Sequence, residues 1–284
     1  MLSFLPAQIP AIWEALVLVS AFALLCAKPL REHPLPFYLL FAAATVLSFW
    51  EPVSSNEVLY EIDQVFASCY TGVAFYLVVM FAGAFNRKHG WVKRLLGVRS
   101  ELSIIGGIVV FGHVLRVAFM PYMAIAMAPQ WQDAWGFAAP VMFLAGVVIG
   151  LPLLVCFLIP WVTSFKTVRR RMDARTWKRV QKLAYPFMAL LVLQGFFLGL
   201  GHAVAVFLTP GGSAAFIRYA LTMLTYLVIG NWYLILKLVR RSQKNRRLAE
   251  AQAPGAAEEG TAARDGSVAE ERSEGNPDEN TVLH

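Results

Sequence analysis

Imidazoles and a guanidinium inside apolar stretches are the groups in this chain with the most chemistry to offer. His113 and Arg116 both fall within the apolar run 102–120. An imidazole nitrogen is a usual axial ligand for iron. A guanidinium among hydrocarbon is costly enough to require a partner. Two partners for Arg116 stay open: an anionic ligand, which suits its planar fork, or Glu14 in the first apolar run at nearly the same depth. His202, near the far end of the run 183–208, can hold a metal only with a second donor such as Met120 or Met123; otherwise it is an interfacial histidine. His33 between two prolines, His89 in a basic loop and the terminal His284 read as solvated.

The elements that position these groups must be membrane helices. The 284 residues are 58% hydrophobic and 15% charged, with a mean hydropathy of +0.56, whereas a soluble domain carries about 25% charge. Seven apolar runs occur, at 10–27, 35–50, 66–85, 102–120, 135–162, 183–208 and 216–236. The second is short; a helical span needs about 20 residues to cross roughly 30 Å of hydrocarbon. Helix is the expected state for each, because a lone segment in lipid must satisfy its own backbone hydrogen bonds. The fold class is therefore an all-α, polytopic membrane bundle of about seven transmembrane helices, in the cell membrane and with the lipid bilayer as its first partner.

Charge orients the bundle. Alternate connections carry Lys28 and Arg31; then Arg87, Lys88, Lys93, Arg94 and Arg99; then eight Lys or Arg between Lys166 and Lys182; Lys237 to Arg247 add six more. The intervening connections hold Glu51, Glu57, Glu61, Asp63 and Asp133, with Arg218 the basic exception. The positive-inside rule then places the N-terminus outside and the C-terminus in the cytoplasm. The first run lacks a basic n-region and reads as a retained helix. Residues 1–247 form the bundle. Residues 248–284 hold nine acidic residues against Arg264 and Arg272 and are expected to be a disordered acidic tail. Basic residues confined to short loops argue against a nucleic-acid partner. Cys26, Cys69 and Cys156 form no CxxC pair, so neither a disulfide framework nor a zinc site is expected.

Two segments go beyond generic membrane helix: GVRSELSIIGGIVVFGHVL at 97–115 and WVTSFKTVRRRMDARTWKRVQKLAYPFMALLVLQG at 161–195. Together they resemble the ferric reductase-like transmembrane domain family, most closely its heme-binding membrane subunits of periplasmic methionine sulfoxide reductase systems. The resemblance covers roughly 66–195, with looser agreement to about 208. It implies a helix bundle that holds b-type heme and passes electrons from a cytoplasmic-side donor towards the outer face. His113 matches the ligand position on the first heme-bearing helix. On the second, the two histidines of the family pattern are replaced by Gln181 and Gln194, and a carboxamide is a poor iron ligand. His113 and Gln194 are each the twelfth residue of their spans, about 17 Å in at 1.5 Å per residue. A heme would lie between them, with Arg116 on a propionate; without heme the two side chains could bond one another. His202, about 12 Å further along than Gln194, could serve only a second, outer heme.

No dinucleotide fingerprint or P-loop accompanies these segments. The resemblance therefore implies a separate electron source, a flavin reductase or a quinol, and an acceptor outside the cytoplasm. The basic loop 166–182 can attract a flavin phosphate or an acidic partner, or simply orient the chain. Two functions follow as expectations: a heme-bearing electron-transfer component of an oxidoreductase, or a heme-free descendant serving as a membrane scaffold, small-molecule binder or transporter. Ion-coupled transport is disfavoured, since no Asp or Glu lies mid-span. Trp91, Trp161, Trp177 and Tyr185 are expected as interfacial anchors. The pairs Gly146/Gly150 and Gly195/Gly199 permit close helix approach.

Overall fold

A computed structural model describes residues 9–49, 69–117, 138–207 and 213–273. Glu51, Glu57, Glu61, Asp63, Met120, Met123, Asp133 and His284 lie outside the described residues. The described residues with regular secondary structure are helical: α1 Ala11–Leu25, α2 Ala27–Glu32, α3 Pro34–Leu47, α4 Cys69–Ala82, α5 Gly90–Gly97, α6 Arg99–Val117, α7 Ala138–Val162, α8 Lys166–Arg169, α9 Ala174–Lys182, α10 Ala184–Phe207 and α11 Ser213–Ser273. Six of the seven expected runs contain a helix or most of one, and the seventh, 216–236, lies within α11. Among the described residues three stretches are long and apolar enough to cross a membrane, Pro140–Val162, Ala174–Phe207 and Ala215–Ala249, and a fourth if α5 and Arg99–Arg116, bent by 60° at their break, count as one span. The remaining apolar helices, α1, α3 and α4, are 15, 14 and 14 residues long, about 21 to 23 Å at 1.5 Å per residue.

Local chemistry sets several ends. Pro34 opens α3 at a position where a missing N–H costs nothing, and it stops α2 at His33. Asp173 caps α9 by accepting the backbone N–H groups of Arg175 and Thr176, both at 3.0 Å. The Thr176 hydroxyl, followed by these backbone donors, holds the Asp173 carboxyl below its ordinary 3.8. A depressed carboxyl pKa stabilises the fold above the unfolded value and loses that contribution as pH falls through the folded one. Hydrogen exchange at the Thr176 amide is therefore expected to lose protection on acidification below 3.8, and Asp173→Ala to remove that protection already at neutral pH. Unchanged exchange in the variant would show that the cap does not hold α9.

The core surrounds α4, in which Thr71 to Met80 and Ala82 are all buried. On one side α4 meets α1 through Ala15, Val19 and Ala23; on another it meets Leu102 and Ile105 of α6. Phe22, Phe41 and Phe75 interlock edge to face, with centroids 5.5 to 6.0 Å apart, the geometry favoured by ring quadrupoles. The crossing of α4 and α6 depends on glycine: a Cβ built on Gly106 would stand 2.6 Å from the Phe75 Cβ. A second layer pairs α7 with α10. Gly146 and Gly150 of α7 receive Leu198 and Gln194, while Gly195 and Gly199 of α10 receive Tyr226 and Met223 of α11. Both GxxxG pairs thus act as close-approach surfaces, on neighbouring faces of α10 about 100° apart. Trp13 Nε1 donates to Thr225 Oγ1 at 3.0 Å and ties α1 to α11.

Residues 1–234 form one compact unit, and Ile235–His284 a second. In the second, residues 248–273 are helical. Alanine, glutamate and arginine are among the strongest helix formers, and the segment AEAQAPGAAEEGTAAR is rich in them. Its poverty in apolar residues rules out a core but not a helix.

Candidate functional site

The bend between α5 and α6 brings Arg99 to the start of a helix whose first turn also carries Ser100, Glu101 and Ser103. Opposite, α7 ends at Val162 and hands over to Thr163 and Ser164. These ends, with α4, α8, α9 and the start of α10, enclose a cavity of about 210 Å³. Its wall includes Tyr76, Arg99, Ser100, Ser103, Cys156, Thr163, Ser164, Arg169, Trp177 and Gln181, over a floor of Val79, Met80, Leu96, Phe157, Pro160 and Phe187. The wall therefore holds two guanidinium groups and no carboxylate.

Hydrogen bonds between elements fix the wall. Tyr76 Oη donates to the Ser103 carbonyl at 2.9 Å, Ser164 Oγ lies 3.2 Å from Ser103 Oγ, and Trp161 Nε1 donates to the Ile104 carbonyl at 3.3 Å. Arg169 is stacked over Trp177, 4.7 Å from the ring centroid, which holds the guanidinium by a cation–π contact. Glu101 is 3% exposed and sits just behind the wall. Its oxygens are engaged by Ser100 Oγ at 2.7 Å and by Lys166 Nζ at 3.6 Å. Glu101, which does not line the cavity, is thus engaged by Ser100 and Lys166, and the lining itself carries Arg99 and Arg169.

The residues singled out in the sequence are dispersed. His113 is half-buried on α6, whose main neighbours are α4 and α3, with α7 touching it less extensively. Gln194 is on α10, whose main neighbour is α7, and its amide donates to the Gly146 carbonyl at 3.3 Å. Gln194 thus has a backbone partner on the neighbouring helix α7. His202 Nδ1 bonds the Leu198 carbonyl at 2.7 Å, and its ring is stacked on Tyr219 and edged by Phe143. Arg116 donates to the Ser48 carbonyl and, at 3.0 Å, to Ser48 Oγ, and lies over the Phe49 ring at 4.9 Å. These contacts carry the guanidinium onto the end of α3. Gln181 alone among the resemblance positions on the second helix lines the cavity.

Measured against a b-type heme, this donor set does not fit. Axial ligands approach one iron from opposite sides, but Gln194 is turned to Gly146, so close to α7 that a Cβ on Gly150 would lie 2.6 Å from its Nε2. His202 is enclosed by two rings. In the sequence Arg99 and the basic loop 166–182 stand as separate features. That Arg99 and Arg169 face one cavity is visible only in the fold.

No protein-family model matches the chain, and no solved structure matches it. An uncharacterized protein of Treponema pallidum (strain Nichols) is similar, at 29% identity over 237 residues, or 81% of this chain and 61% of the relative. The chain thus spans about three-fifths of that relative's length.

Proposed function

We propose that this chain is a heme-free bundle of the ferric reductase-like kind, with seven spans, the N-terminus outside and the tail cytoplasmic, and that it binds a small anionic molecule at the cytoplasmic end of its helices. The observation that carries this reading is the cavity walled by Arg99 and Arg169 with Glu101 withdrawn behind it. Basic pockets between membrane helices on the cytoplasmic side are suited to anionic groups. The turn of Gln194 onto Gly146 supports the heme-free part. The competing reading, an electron-transfer component with heme b on His113, draws on the half-buried position of that imidazole within an apolar helix.

The two readings make opposite spectral predictions. Detergent-purified protein from heme-supplied cells, recorded oxidised and dithionite-reduced, is expected to be featureless in the Soret region, as is His113→Ala. A Soret band with sharp reduced bands that disappears in His113→Ala would overturn the heme-free reading.

A further inference from the structure

We infer that the ligand of this cavity carries a phosphate monoester group, held between Arg99 and Arg169. The inference rests on the proposed reading of the cavity as a binding site and adds its chemical class. Charge is the first argument. The wall offers two fixed positive charges and no carboxylate, and among the described residues neither guanidinium is in a salt bridge. A phosphate monoester carries about −1.5 to −2 at neutral pH and compensates both. A monocarboxylate would match only one of the two positive charges.

Geometry is the second argument. The guanidinium fork matches phosphate oxygens bidentately. Arg99 and Arg169 come from different elements, so they can approach different oxygens, and the Trp177 stack pre-orients Arg169. Ser103 Oγ and the Gln181 amide add neutral hydrogen-bonding groups to the wall. Size is the third. A volume of about 210 Å³ corresponds to roughly seven waters at about 30 Å³ each and falls below the range of about 300–1,000 Å³ typical of drug-sized ligands. It accommodates a phosphate and a short carbon body, the latter against Phe157 and Phe187. The phosphate can belong to a free metabolite or to the headgroup of a surrounding lipid whose chains stay in the bilayer.

Cys156 lies in the cavity wall and serves as a reporter. The chain has three cysteines, so the full-length protein with Cys26→Ser and Cys69→Ser keeps Cys156 alone. Its reaction with methyl methanethiosulfonate is measured in detergent, and in phosphatidylcholine nanodiscs with and without phosphatidic acid. The expected result is ready labelling that sn-glycerol 3-phosphate or phosphatidic acid slows saturably, while succinate and lactate do not. Protection by phosphatidic acid alone assigns the lipid source; protection by glycerol phosphate alone assigns a soluble one. Arg99→Gln and Arg169→Gln should each raise the half-protecting concentration at least about tenfold, the scale of a lost hydrogen bond to a charged group. Arg171→Gln removes the same charge from the same loop outside the cavity wall and should leave protection unchanged. Arg169 is exposed on a short helix, so its variant keeps the test informative if Arg99→Gln does not fold. Labelling that no phosphate compound slows, or that succinate slows equally, would overturn the phosphate assignment and leave the cavity reading standing. A Cys156 that reacts only after denaturation would overturn both.

Discussion

Gly106→Leu is expected to cost about 3 kcal/mol, the upper end for overpacking a tight core, and to distort the cavity as it does so. A Cβ at this position would lie 2.6 Å from the Phe75 Cβ and 3.3 Å from the Tyr76 ring. Neither neighbour can yield easily. Phe75 is 1% exposed and locked against Phe22 and Phe41, and the Phe75 atom in the way is attached directly to the backbone of α4. The helices must therefore separate. Separation would also move Tyr76 away from the Ser103 carbonyl that its hydroxyl reaches at 2.9 Å. The unfolding midpoint in detergent measures the loss, with Gly106→Ala as a smaller step in the same direction. A Leu variant of unchanged stability would mean that α4 and α6 are not held together at this glycine.

Tyr76→Ala should be comparably damaging, at about 3–5 kcal/mol for removal of a buried ring, whereas Tyr76→Phe should cost only about 1 kcal/mol, the net value of one hydrogen bond. The side chain is 7% exposed, and its ring centroid lies 5.5 Å from both Phe157 of α7 and Phe187 of α10. It thus joins the α4 core to the α7–α10 pair. In lipid, such a contact acts through packing rather than through removal of surface from water, so a void left by alanine has no compensating gain. Equal losses for the two variants would place the stabilisation in the hydroxyl instead of the ring.

Much of the architecture is legible in the chain because hydrophobicity and helix signals are local. The positions of the seven apolar runs follow from composition along the sequence, and Pro34 and Asp173 mark helix starts by backbone chemistry that needs no tertiary partner. Gly146/Gly150 and Gly195/Gly199 are equally visible as pairs, but which side chains they receive is not. Low hydrophobicity in the tail argues against a packed core, whereas the helix propensity of alanine and glutamate acts independently of it, and 248–273 are helical. Arg99, Ser103, Ser164 and Arg169 each had a local signal, a helix start, a helix end or a basic loop. Their convergence on one cavity had none.

The residues of the chain by themselves determine that its elements are apolar helices with basic ends, and that His113, Arg116, Gln194 and His202 lie inside them. Helices such as α4, α7 and α10 are apolar on all sides, so no stripe of polar residues states which face turns inward or which helix lies opposite. Rotation and partner choice come instead from steric fit at small residues. That fit sets Gln194 against Gly146, encloses His202 between Phe143 and Tyr219, and places Arg99 and Arg169 around one cavity with the Glu101 carboxylate held behind it.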